Sequence, residues 1–295
     1  MINSDKRKKL NFSLSVVVTT LGNHSLIETI ESVNKSSIIP MEILICIPRS
    51  RLNLLEEISF KHNVRIITAP LFSQVEQRIL GFRHAKGAFV LQLDDDIVLR
   101  ENCIELLIKA MQNSSLDKIA VGPNMLDKIT GKSLHSRPNW PKPFKYLYHF
   151  LTGGYSGSRL NLLSSNASKN VGKHQIYNVD WLAGGCVLHK RENLILDSFY
   201  PFSGKAYCED LIHSHYLSCN GVILCINLDS CCEVDYFSPA DLSFRDYWKL
   251  ISSESKARLF YFKLINKNLF FIYFYYFFEF LFYLIKNCNK FLKKF

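Results

Sequence analysis

The sequence predicts an α/β fold: a mainly parallel sheet flanked by helices, followed by a C-terminal helical segment rich in aromatic and basic residues. Three observations carry that reading. Up to Asp96, β-branched runs alternate with stretches of helical periodicity. The fourth such run goes straight into three consecutive carboxylates, Asp94-Asp95-Asp96. The chain of 295 residues is 48% apolar, ample for a buried core.

The elements come in order along the chain. Leu14 to Thr20 (LSVVVTT) reads as a strand closed by Leu21-Gly22-Asn23, after which Ile27, Ile30, Val33 and Ile38 recur at helical spacing. Glu42 to Ile47 is a second strand stopped by Pro48, and a helical stretch through Leu52, Leu55 and Ile58 leads to a short strand, Val64 to Ile67. Val75 to Ala85 suits a helix ended by Gly87, and Ala88 to Leu93 is the fourth strand. A helix over Ile97 to Met111 is expected next, from Ile104, Leu107 and Ile108. From Lys132 to Lys173 the text turns to Pro, Gly, Ser, Asn and aromatics without period, as in a long loop. Order returns at Val179 to His189, in a helix over Glu209 to Ser218, and at Gly221 to Ile226.

Strands alternating with helices imply a sheet covered on both faces, and such sheets bind ligands beyond the carboxyl ends of their strands. Thr19, Thr20 and the triplet all fall at that rim. Three adjacent carboxylates repel one another unless a cation or helix dipole offsets their charge. A divalent Mg or Mn ion is the simplest partner, since it binds through one or two carboxylates and keeps positions open for substrate phosphates. The alternative is that Asp96 caps the helix expected at Ile97.

The stretch Gln77 to Asp96 (QRILGFRHAKGAFVLQLDDD) resembles the signature of the family 2 glycosyltransferases of GT-A fold, a Rossmann-like architecture, in which an Arg precedes a Gly, then Ala-x-Gly, an apolar strand and a D-x-D motif. Arg78, Gly81, Ala85 and Gly87 occupy those positions. The resemblance implies a bacterial cell-surface polysaccharide type of enzyme: Thr19, Thr20, Arg78, Asp94 and Asp95 on a nucleotide-sugar donor, and Asp96, with Asp94, on the metal; for Arg78 the other reading is a solvated charge on a helix face. Tyr207-Cys208-Glu209-Asp210-Leu211 is similar to the family's Glu-Asp motif, which makes Asp210 the base for the acceptor hydroxyl and Glu209 its support; a helix start with acidic first-turn residues is the plainer reading. Trp181, Gly184 and Gly185 resemble the acceptor-side segment, with an indole that either stacks on a sugar or packs beside a tight turn. The implied reaction is a single displacement with inversion onto a glycan or lipid-linked acceptor.

Two departures stand out. Ile47-Pro48-Arg49-Ser50 holds no Asp where the family contacts the nucleotide base, and Glu233 and Asp235 stand where many members place a metal-side His. Two rivals are a sugar nucleotidyltransferase and a catalytically inactive, membrane-attached carbohydrate-binding protein. The first would need a Gly-rich basic loop after the first strand, whereas Thr19-Thr20-Leu21-Gly22-Asn23-His24 has one Gly and no Lys or Arg.

The 36 Lys and Arg against 26 Asp and Glu, a net +10, suit phosphate-bearing partners or an anionic membrane surface, with no nucleic acid expected. Nine cysteines without C-x-x-C spacing read as reduced thiols of a cytoplasmic protein, and Lys6-Arg7-Lys8-Lys9 precedes no continuous apolar stretch, so no export signal is expected. The tail Leu269 to Ile285 (LFFIYFYYFFEFLFYLI) is almost wholly apolar and flanked by Lys263, Lys267, Lys286, Lys290, Lys293 and Lys294. It suits a helix lying on the inner face of the cell membrane, and leaves open a core or homo-oligomer helix or a span. The expected division is a GT-A domain over 12–240 and an attachment segment over 241–295.

Overall fold

The computed structural model describes residues 13–55, 62–135, 147, 176–202, 206–235 and 241–292. The basic run Lys6 to Lys9, most of the loop read over Lys132 to Lys173, and the side chains of Lys290, Lys293 and Lys294 lie outside the described residues. The described stretches up to His135 and from Ile176 to Asp235 belong to one compact unit, and 241–292 to a second.

The first unit is built on strands β1 (Leu14–Thr19), β2 (Glu42–Pro48), β3 (Val64–Ala69), β4 (Phe89–Asp94), β5 (Ile97–Leu99), β6 (Ile119–Asp127), β7 (Ile176–Asn178), β8 (Cys186–Lys190) and β9 (Ile223–Val234). Their order across the sheet is β3-β2-β1-β4-β8-β6-β9-β5, with β7 also on β9. The β3-β2-β1-β4 half is parallel, as the βαβ alternation implies. The other half is mixed, because β8 runs antiparallel to both β4 and β6.

Helices α1 (Ser25–Lys35), α2 (Gln74–His84), α3 (Cys103–Gln112) and α4 (Glu209–Cys219) cover the sheet. Alternate residues of one strand serve opposite faces. Val16 and Val18 join a core with Leu26, Ile30, Ile104 and Leu107 from α1 and α3, while Val17, Leu44 and Val90 meet Phe82 of α2. The family-pattern glycines have packing reasons. A Cβ on Gly81 would fall on Val17 Cγ1 and 2.7 Å from Cys46 Sγ, so only Gly lets α2 lie this close to β1 and β2. One on Gly87 would lie 2.5 Å from the Ser15 backbone nitrogen.

Two expectations change. The helix expected from Ile97 is instead β5 followed by α3 from Cys103: Ile97, Val98 and Leu99 gain ladder partners on Val234, Glu233 and Cys232, which outweighs their helical periodicity. Asp96 therefore caps no helix; Asp95 and Asp96 form the turn between β4 and β5. The stretch read as helical around Leu52 is a 3-10 segment, Arg49–Leu55.

In the second unit, α5 (Phe244–Leu264) and α6 (Phe270–Leu292) form an antiparallel pair. Tyr247 stacks on Tyr283, and Arg258, buried and paired with Glu254, lies over Tyr275 at 4.5 Å. All nine cysteines are free thiols.

Candidate active site

The carboxyl rim of the parallel half gathers the expected polar residues. Thr19 ends β1 opposite Asp94 at the end of β4, and its hydroxyl donates to Asp94 Oδ1 at 3.2 Å. Thr20 Oγ1 donates to Asp95 Oδ2 at 2.5 Å while accepting from the Gly22 backbone N–H, and Asn23 Nδ2 adds a second donor to Asp95 at 3.2 Å. Burial pushes the Asp95 carboxyl above its ordinary pKa, and the Thr20 hydrogen bond opposes that shift. The tight turn at Gly22 (φ +86°) bends the chain back for these contacts. Asp96, at the turn, is exposed.

Because β8 is antiparallel, it begins where β4 ends, and this brings the segment with Gly184 and Gly185 to the same rim. Asp94 N–H donates to Gly185 O at 2.8 Å, and Gln92 Nε2 donates to Gly184 O. Helix α4 starts there as well, after Cys208 in a left-handed conformation (φ +54°).

Arg78, one turn into α2, ties these pieces together. It is 1% exposed; one terminal nitrogen donates to Glu209 Oε1 at 2.5 Å and the other to Asp94 Oδ1 at 2.9 Å. Burial works against its charge, but Glu209 and Asp94 outweigh that and hold the guanidinium above its ordinary pKa. Burial also raises Glu209, against the pull of Arg78. A Cβ on Gly184 would collide with Glu209 Oε1, so the glycine makes room for the carboxylate. Asp210, the next residue, is partly exposed, and its Oδ1 accepts from Leu211 N–H.

Some placements differ from the sequence expectation. Both terminal nitrogens of Arg78 are engaged by protein carboxylates, so it reaches the rim through Asp94. Trp181 is 6% exposed, the packed one of the two arrangements the sequence left open; Leu182 N–H beside it is held by Ser214 Oγ. Glu233 accepts from Arg100 at 3.1 Å within the β5 and β9 ladder, and Asp235 follows β9 exposed. The sequence reading missed Gln74 (3.4 Å from Asp94), Asn23 and Gln92. Gln92 had a legible signal, as a lone polar residue inside an apolar strand. His189 and His213, also missed, form a buried layer with Phe82 and Phe199 beside Arg78; burial and then the guanidinium push His189 down to about 3, and burial, His189 and Arg78 lower His213.

The oxygen-only donor set fits a hard cation. All three donors to Asp94 act on Oδ1, and none of the described residues donates to Oδ2. Among the described residues no group of three or more His, Cys, Asp or Glu could hold a metal ion by itself.

The crystal structure of GalNAc-T7 with UDP, GalNAc and Mn2+ is similar at 17% identity and a TM-score of 0.53, over 77% of this chain and 44% of that one. That of S. aureus TarS is similar at 17% identity and a TM-score of 0.48, over 82% of this chain and 39% of that one. The chain thus spans less than half the length of either. No curated protein matches it. The model of glycosyl transferase family 2 matches residues 15–182, from β1 through the triplet to the segment beside Gly184. With more than half of its length so matched, on a sheet with helices on both faces, the chain belongs to glycosyl transferase family 2 and has the GT-A fold.

Proposed function

We propose that this chain is a glycosyltransferase that moves a sugar, with inversion, from a nucleotide-sugar donor to a hydroxyl of a glycan or lipid-linked acceptor, and that it depends on a divalent metal. The observation that carries the proposal is the Asp94–Arg78–Glu209 bridge. It joins the donor-side carboxylates at the β4 end to the carboxylate beside Asp210 at the start of α4.

Asp96 and the Oδ2 side of Asp94 would hold Mg or Mn, which when bound neutralises charge on the departing diphosphate. The Mn2+ and UDP named for GalNAc-T7 support this reading. Thr19 and Thr20 fix Asp94 and Asp95 for the donor. On the other side, Asp210 accepts the acceptor hydroxyl proton as that oxygen bonds to the sugar carbon, and the bond to the diphosphate breaks with its electron pair leaving on the diphosphate. Glu209, clamped by Arg78, orients the first turn of α4. Gly184, whose missing Cβ leaves room for Glu209, and Gly185 would stand with Trp181 on the acceptor side. Near the second strand, where no Asp is present, Arg51 lies over Phe72 at 5.5 Å and offers a stacking wall for a base. The enzyme would work at the inner face of the cell membrane.

Calorimetry with a nucleoside diphosphate tests the donor side: Asp96→Ala should lose Mn2+-dependent binding while remaining folded, and an affinity that Mn2+ leaves unchanged in the wild type removes metal dependence. Asp210→Asn should bind donor normally and lose transfer. Undiminished turnover would place the base elsewhere.

A further inference from the structure

Helix α6 has two unlike faces. Ile272, Tyr275, Glu279 and Tyr283 recur at steps of three and four; Ile272, Tyr275 and Tyr283 of this row are buried, and Tyr275 and Tyr283 face Arg258 and Tyr247 of α5. Phe270, Tyr273, Phe277, Leu281 and Leu284 recur at the same steps on another side and are 59, 69, 59, 38 and 40% exposed. Glu279, the helix's acidic residue, falls on the packed row, so the exposed row is apolar and uncharged along its length. An apolar stripe of this length is more than scattered exposure and marks a surface that meets something.

The charge of the segment identifies the partner. Residues 241–295 hold ten Lys and Arg against four Asp and Glu, so more than half of the chain's net +10 lies in its last fifth. A second copy would bring the same positive charge, whereas an anionic bilayer brings the opposite one. The row's Phe and Tyr rings suit the boundary between headgroups and acyl chains. Among the described residues no helix is long and apolar enough to cross a membrane, so α6 fits a surface position.

We propose that the Phe270, Tyr273, Phe277, Leu281 and Leu284 row of α6 is a docking face for an anionic lipid surface, entering the headgroup layer in the plane of the membrane while the surrounding Lys and Arg hold the lipid phosphates. The proposal is independent of sugar transfer, because binding is measured without donor or metal.

The test is flotation of the full chain with vesicles of phosphatidylcholine, alone or mixed with phosphatidylglycerol. The chain should float with the anionic vesicles, less so as salt rises, and not with the neutral ones. Tyr273→Ser/Phe277→Ser/Leu284→Ser should cut the partition coefficient by about tenfold or more for each side chain removed. If that variant fails to fold by circular dichroism, the single Phe277→Ser carries the same test. Equal flotation of a folded variant, equal binding to neutral vesicles, or a stable dimer that the substitutions dissociate while neither protein floats would each overturn the proposal.

Discussion

Replacing Arg78 by Met keeps the bulk of the side chain and removes its charge. Arg78, Glu209 and Asp94 side chains are 1, 7 and 24% exposed, so the cation is dry, Glu209 nearly so, and Asp94 still touches solvent. Breaking a buried pair from one side costs about 3–5 kcal/mol, because a charge is left without compensation. Most of that falls on Glu209; Asp94 can rehydrate and contributes less. Glu209 also has an escape by taking a proton. Burial already raises its pKa, and Arg78 is what pulls it down, so the variant's folded-state pKa rises further above the ordinary 4.5. A carboxyl raised on folding binds protons more readily in the folded state, so its stabilising effect is present at low pH and lost as pH rises through the folded pKa. The deficit of Arg78→Met should therefore be largest near pH 8 and shrink toward pH 5. Urea unfolding of the wild type, Arg78→Met, Glu209→Gln and the double variant at both pH values measures this, and the double variant should lose much less than the sum of the singles. A cost under about 1 kcal/mol at pH 8, or additive singles, would show that the bridge contributes neither stability nor coupling.

Gly184→Ala puts a methyl group where Glu209 Oε1 sits, and Arg78 blocks the carboxylate from swinging away; a loss of about 1–3 kcal/mol in urea unfolding is expected, and an unchanged midpoint would mean that the rim yields freely. His189 is neutral when folded, with a pKa near 3 against an ordinary 6.5, so between those values the unfolded chain takes the proton and the folded one does not. From pH 6.5 to pH 5 this group should accordingly remove about 1.6 kcal/mol of stability, beside the loss from the likewise lowered His213, and His189→Phe should take that share out of the slope. Parallel slopes for the variant and the wild type in urea titrations would contradict it.

The sequence was most readable where one local pattern decided the outcome. Val16 to Val18 and Ile43 to Ile45 are apolar on both sides of the strand, which only a sheet covered on both faces permits, and the triplet necessarily lay just past such a strand. Reading failed where a distant partner decided. Ile97 to Leu99 keeps helical spacing with Ile104, Leu107 and Ile108, yet β9, more than a hundred residues later, takes it as an edge strand. Arg78 and Glu209 were both legible as polar residues in motifs, but their contact spans 131 positions, and no periodicity encodes it. For Trp181 the sequence left two arrangements open, stacking on a sugar or packing beside a tight turn, and only the folded segment before β8 decides that the indole is buried.

The place of β8 in the sheet also sets an order of assembly. Residues up to Gln112 contain β1 to β4 and their helices, so this parallel half can form from neighbours in sequence. Strand β8 lies between β4 and β6 and comes much later in sequence, and α4, later still, carries the Glu209 that meets Arg78. Until that happens, a guanidinium destined for the interior has just half of its counter-charge. A chain emerging from its N-terminus thus carries Asp94 and its rim well before Glu209 and Asp210, and β9, which pairs with β5, β6 and β7, follows them all.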